Sequence, residues 1–236
     1  MNFLSQIFNS FLYQPLFNAL ILLYQFLPGQ DFGIAVIVLT CIIRIILHPL
    51  MMRSLKSQKL MVALQVEIKE IQRKYKDDPK KQTEEMMAIY KNNNINPLDS
   101  IILLLIQLPI LIALYRVFWM GLRPEELGYL YSFVSKPEII NFTFLGLINL
   151  SQPSSLLAVL AGIAQLIQSK TLPKPKKTTS GDSQSQAAEI MSSQMLYFFP
   201  VFTILILLKM PSAVGLYWIV TTIFSIVEQH LISKKI

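Results

Sequence analysis

The stretch that decides the fold is residues 33–52, GIAVIVLTCIIRIILHPLMM, which is almost entirely apolar and carries one arginine, Arg44. At about 1.5 Å per residue, roughly twenty apolar residues in a helix can cross a hydrocarbon core about 30 Å thick. A charged side chain near the middle of such a helix is unfavourable by about 2.5 kcal/mol or more, so it usually faces a bundle interior or a watery cavity. The stretch therefore predicts a membrane span whose arginine has a functional role.

The composition supports an integral membrane protein. Of the 236 residues, 53% are hydrophobic and 15% are charged, and the mean hydropathy is +0.49, which is far more apolar than a soluble domain of this size. Five long apolar stretches cover residues 32–52, 98–120, 154–169, 194–209 and 212–232. The third is short, and we expect its helix to begin somewhat earlier. The sequence predicts an all-α integral membrane protein with five transmembrane helices.

Basic residues divide unevenly between the loops. Of the 21 lysines and arginines, ten lie in residues 53–91, four in 170–177 and two in 234–235. The loops on the other side hold Arg123, Lys136 and Lys209. Because basic loops remain in the cytoplasm, this pattern places the N-terminus outside and the C-terminus in the cytoplasm. The N-terminus lacks the pattern of a signal or transit peptide, which favours a bacterial plasma membrane.

Two further segments have a distinct character. Residues 3–27 carry no charge, are interrupted at Pro15 and have a stripe of Asn, Gln and Ser, which favours a helix lying in the outer interface over a sixth span. The charged block after the first span has apolar residues at three- and four-residue steps up to Tyr75 and a break at residues 77–79. This periodicity predicts an amphipathic helical hairpin, with a merely solvated spacer as the alternative.

The predicted organisation follows directly from these segments. It consists of an extracytoplasmic interfacial helix (1–31), span one (32–52), a cytoplasmic hairpin (53–97), span two (98–120), an extracytoplasmic loop (121–153), span three (154–169), a flexible cytoplasmic loop (170–193), span four (194–209), span five (212–232) and a cytoplasmic tail (233–236).

Motifs of enzyme chemistry are not visible in the sequence. It has no glycine-rich phosphate loop and no HExxH motif. Its single cysteine, Cys41, cannot form a disulfide or a paired thiolate site within the chain. His48 and His230 fall at the cytoplasmic ends of spans, where snorkelling or capping is the simpler interpretation. We therefore expect neither enzymatic activity nor a bound cofactor, metal or nucleotide.

The candidate site consists of polar residues within the spans: Arg44, Gln107, Gln165, Gln168, Tyr217 and Trp218. Glutamine often joins helices by hydrogen bonds and aromatic residues populate the interfaces, so five of them have a structural alternative. Arg44 differs, because Asp99 and Glu228 lie toward span ends and look like imperfect partners. The sequence thus predicts an unpaired arginine in a groove that is open to the cytoplasm and transiently binds an anionic group. On that basis, Arg44→Ala should fold at least as well as the parent.

The chain also resembles a known family in four segments. They are YQPLFNALILLYQFLPGQDFGIAVIVLTCIIRIILHPLMMRSLKSQ from residue 13, NPLDSIILLLIQLPILIALYRVF from 96, FLGLINLSQPSSLLAVLAGIAQLIQSK from 144 and MPSAVGLYWIVTTIFSIVEQHLI from 210. In order and spacing these resemble the YidC, Oxa and Albino group of membrane protein insertases, and most closely the short bacterial form.

The resemblance implies a function and a site. It implies a hydrophilic groove in the inner leaflet, closed to the outside, whose arginine matches Arg44, whose glutamines match Gln107 and Gln168, and whose aromatic residue matches Trp218. The implied partners are nascent membrane proteins, the lipid bilayer, the Sec translocon and, weakly because a long basic C-terminal tail is lacking, the ribosome. Direct nucleic-acid readout is not implied.

Two other classes of function remain open from the residues alone. A small channel or transporter would also use a buried charge, although no internal repeat or continuous polar path is visible. A membrane-anchored scaffold would explain the charged hairpin but would leave Arg44 costly and unused. Rescue of a cell depleted of its own insertase distinguishes the three.

Overall fold

The computed structural model describes residues 3–119, 126–137, 140–172 and 196–235. The described helices are α1 (Phe3–Phe8), a π-helical turn (Asn9–Tyr13), α2 (Gln14–Phe26), α3 (Phe32–Ala63), α4 (Gln65–Lys74), α5 (Pro79–Asn92), α6 (Asp99–Trp119), α7 (Ser155–Thr171), α8 (Leu196–Leu207) and α9 (Ser212–Lys235). Short 3-10 turns cover Pro28–Gln30 and Glu126–Tyr129, and strands β1 (Thr143–Phe144) and β2 (Ile148–Asn149) pair antiparallel. The predicted all-α class is confirmed.

Four helical stretches in the described part of the chain are long and apolar enough to cross a membrane. They are Ser5–Phe26, Phe32–Ala63, Ile101–Trp119 and Ser212–Ile232. Helix α7 has 17 residues, and α8 starts where the described residues resume. The protein is thus a multi-pass membrane protein, while five as the number of spans and the interfacial placement of the first helix remain predictions.

Helix boundaries differ from expectation at two of the predicted spans. Helix α3 does not end near residue 52 but continues to Ala63, because residues 53–63 keep good helix formers and no breaker interrupts them. The sequence predicted that the helix of the third span begins before residue 154, but α7 begins at Ser155. The reason is that Ser154 caps its first turn by accepting a hydrogen bond from Leu157 N. Its extension lies instead at the C-terminal end, where it reaches Thr171.

The charged block forms two short helices after α3. Helix α3 ends at Ala63. Helices α4 and α5 are joined at the predicted break, where Asp78 accepts a hydrogen bond from Lys81 N and Pro79 begins α5. Ile68 is the buried residue of α4, and α5 has none. The predicted flexible loop falls, from residue 173 onward, outside the described residues.

A large part of the buried core lies at the end of the bundle that meets residues 126–150. Helix α2 contributes its fully buried Phe17 and Leu20, and Leu150 of the loop is buried with them. The loop is tied down by hydrogen bonds from Tyr131 N to Asn18 Oδ1 and from Leu145 N to Asp31 Oδ2, at 2.7 and 2.6 Å. This end of the protein is therefore filled with side chains and covered by the loop.

Candidate functional site

A cavity of about 230 Å³ lies between α3, α6, α7 and α9, away from the loop-covered end. Its walls consist of Arg44, Met51, Leu103, Gln107, Leu111, Gln165, Gln168, Tyr217, Trp218, Thr221, Thr222 and Ser225. All six residues selected from the sequence line it, although they come from four helices. The structure thus brings the whole candidate set to one place.

Arg44 is the charged residue of the cavity wall, and it is paired. Its Nη2 donates to Glu228 Oε2 at 2.6 Å and to Ser225 Oγ at 2.8 Å, and its side chain is 3% exposed, as is that of Glu228. The expectation of an unpaired guanidinium was therefore wrong. Arginine and glutamate both have long, flexible stems, so a carboxylate nearer the end of its helix still reaches the guanidinium.

Glu228 has a second partner on α3. Its Oε1 lies 2.7 Å from Nδ1 of His48, a residue whose side chain is 46% exposed. His48 follows Arg44 by one helical turn, so both residues lie on the same face of α3 and meet the same carboxylate. His48 thus helps to hold the counter-ion of the cavity arginine, beyond the simple capping role expected from the sequence.

Part of the hydrogen-bonding capacity of Arg44 is not used by the residues that the structure describes. Its Nη1 meets Met51 Sδ at 3.7 Å, a weak acceptor, and its Nε is buried without a hydrogen-bond partner. A buried donor without a partner is unfavourable by about 1–3 kcal/mol, so the buried Nε is a cost to the folded state.

The glutamines and aromatics of the site pair across helices. Gln107 Nε2 on α6 donates to the Tyr217 hydroxyl at 2.5 Å, and Trp218 Nε1 donates to Gln165 Oε1 on α7 at 3.2 Å. Both bonds end on α9, so they join the helices as well as line the cavity. Gln168 is half-buried in the wall.

Sequence reasoning missed the polar stripe of α9. Thr221, Ser225 and Glu228 follow Tyr217 at steps of four, four and three residues, which places all of them on one helical face. Polar residues recurring at this spacing within an apolar helix are the signal that would have identified the stripe. The stripe supplies both the partner of Arg44 and part of the cavity wall.

A second arginine, Arg116, forms a cluster of polar and aromatic contacts at the loop-covered end. Its Nη1 donates to Asn9 Oδ1 at 2.6 Å, its Nη2 lies 3.4 Å from Glu126 Oε1, and its guanidinium stands 4.2 Å from the centre of the Tyr13 ring. Tyr13 also donates to Glu126 Oε2 at 2.5 Å. The cluster ties the π-helical turn, α6 and the loop together, which is a structural role.

Comparison with known proteins gives consistent matches. A family model described as 60Kd inner membrane protein matches residues 22–236. A protein of Fusobacterium nucleatum named membrane protein insertase YidC is 32% identical over 205 residues, which is 87% of either chain. Proteins of the same name from Prosthecochloris aestuarii and Pelagibacter ubique are 32% and 29% identical over 99% and 97% of this chain. The chain spans 37% and 40% of the length of these two.

Proposed function

Because the chain belongs to the 60Kd inner membrane protein family, and its relatives bear the name of membrane protein insertases, we propose that it helps nascent membrane proteins to enter the lipid bilayer. The observation that carries the proposal is the cavity that Arg44 lines together with polar side chains of α6, α7 and α9. A polar or acidic segment of a substrate would occupy this cavity, and a carboxylate or carbonyl oxygen would accept a hydrogen bond from the Arg44 guanidinium.

The chemistry required of the site is binding and release, with no bond made or broken. Coulomb attraction is stronger in the low-dielectric interior than in water, so the cavity lowers the barrier for a charged segment to leave water. The apolar part of the substrate then passes into lipid, and its transfer supplies the driving force. This mechanism involves no nucleotide and no cofactor.

The direction of entry follows from two features of the chain. The loop end is filled by apolar side chains, whereas the cavity walls on α3, α6, α7 and α9 lie away from it. The basic segment 53–91 favours the cytoplasm for the end that carries α4 and α5. We therefore propose that the cavity receives substrates from the cytoplasm of a bacterial cell, with the N-terminus outside. The Sec translocon and the ribosome are proposed as further partners on the resemblance alone.

The test is insertion into liposomes by the purified protein. A single-span substrate with an acidic N-terminal tail should become protected from protease in liposomes that contain the protein, and should stay accessible in empty liposomes. The same substrate with a neutral tail measures the contribution of charge. Absence of protection for every substrate, together with no rescue of cells depleted of their own insertase, would favour a channel or a scaffold.

A further inference from the structure

Glu228 occupies a position that the proposed function does not yet explain. It is 2% exposed, binds Arg44 and His48 with its two oxygens, and is absent from the cavity wall that Arg44 lines. The carboxylate therefore lies behind the guanidinium as seen from the cavity. A substrate that enters meets Arg44 with its negative partner already in place.

This arrangement weakens the pull of Arg44 on an incoming carboxylate. A substrate carboxylate in the cavity is attracted by the guanidinium and repelled by the Glu228 carboxylate that is bound to Nη2 of the same guanidinium. Coulomb energy falls as the inverse of distance, so the more distant Glu228 carboxylate cancels part of the attraction and not all of it. A single carboxylate in the substrate thus adds little binding free energy, and several carboxylates together add more.

We propose that Glu228 is a specificity-determining residue that competes with the substrate for Arg44 and so sets how acidic a segment must be to bind. The proposal rests on the proposed function, because it concerns the same cavity. The Glu228 carboxylate holds the Arg44 guanidinium in position and weakens its attraction for a single substrate carboxylate. A segment with several carboxylates overcomes the screening, either by binding the guanidinium alongside Glu228 or by displacing Glu228 from Nη2.

A binding assay tests this directly. The parent and its variants are placed in nanodiscs, and fluorescent peptides with an apolar segment and a tail of zero, one or three aspartates are titrated by anisotropy. In Glu228→Gln, which keeps a hydrogen-bond acceptor but removes the charge, the one-aspartate peptide should bind about tenfold more tightly than in the parent. The peptide without aspartate should bind equally well in both.

Two further variants keep the test decisive. Glu228→Asp keeps the charge but shortens the stem, so it should fold where Glu228→Gln does not and should give a smaller gain for the one-aspartate peptide. Glu84→Gln removes the same charge from an exposed position of α5 and should give no gain. A folded Glu228→Gln or Glu228→Asp protein with parental dependence on aspartate number would overturn the proposal.

The assay also separates this inference from the function on which it rests. If the parent binds acidic tails and Arg44→Gln does not, the cavity works as proposed and the Glu228 variants decide the competition. If binding to the parent does not depend on the number of aspartates, and Arg44→Gln binds the peptides equally well, then Arg44 does not bind acidic tails. In that case the proposed competition by Glu228 is wrong as well.

Discussion

Breaking the buried pair between Arg44 and Glu228 should destabilise the protein. The two side chains are each 3% exposed and meet at 2.6 Å. Arg44→Ala leaves the Glu228 carboxylate buried beside His48 alone, a residue that is nearly half exposed. The expectation from the sequence, that Arg44→Ala folds at least as well as the parent, assumed an unpaired arginine and must be reversed.

The size of the effect follows from the geometry. Two unit charges about 4 Å apart interact by about 4 kcal/mol at an effective dielectric of about 20, and removing one partner of a buried pair typically costs about 3–5 kcal/mol. We expect Arg44→Ala to lower the free energy of unfolding by about 3–4 kcal/mol, because His48 offsets part of the loss. The double variant Arg44→Ala/Glu228→Gln should regain most of it, since neutral groups replace both charges.

The assay is unfolding of the parent, both single variants and the double variant by increasing detergent denaturant in bicelles, followed by tryptophan fluorescence. The four free energies form a double-mutant cycle, whose coupling term should be about 3 kcal/mol. An Arg44→Ala protein as stable as the parent, or a double variant that loses the sum of the single losses, would refute the structural role assigned to the pair.

Three further predictions concern function, topology and packing. Arg44→Lys should retain at least about a third of the insertion activity in liposomes, because a flexible substrate tail needs the charge more than the planar fork; activity as low as that of an uncharged variant would show that the fork is required. A cysteine at Lys80 should react with an impermeant reagent only from the cytoplasm and one at Lys136 only from outside, and the reverse pattern would overturn the proposed orientation. Gly162→Ala should lower stability by about 1–3 kcal/mol, since its new Cβ would overlap an α8 side chain and lie 3.2 Å from an α8 carbonyl oxygen. At Gly128, a new Cβ would meet no atom of the described residues within 4 Å. Gly128→Ala is therefore the control and should change stability by less than about 0.5 kcal/mol.

Properties that are local in the chain could be predicted from the sequence. The apolar stretches indicated the long helices because length and hydropathy are read along one segment. The break between α4 and α5 was visible because Asp78 and Pro79 act on adjacent backbone groups. The candidate residues were found in the same way, since a polar side chain in an apolar helix is conspicuous wherever the helix packs.

The tertiary structure alone decided which residues distant in sequence bind each other. Arg44 and Glu228 are separated by 184 positions, and their pairing depends on how α3 and α9 pack and on how far two flexible side chains reach. Asn9 and Asn18 looked like part of a polar stripe facing the membrane surface, yet they bind Arg116 and the loop. A buried polar group must find a partner, but only the packed helices determine which one lies within reach.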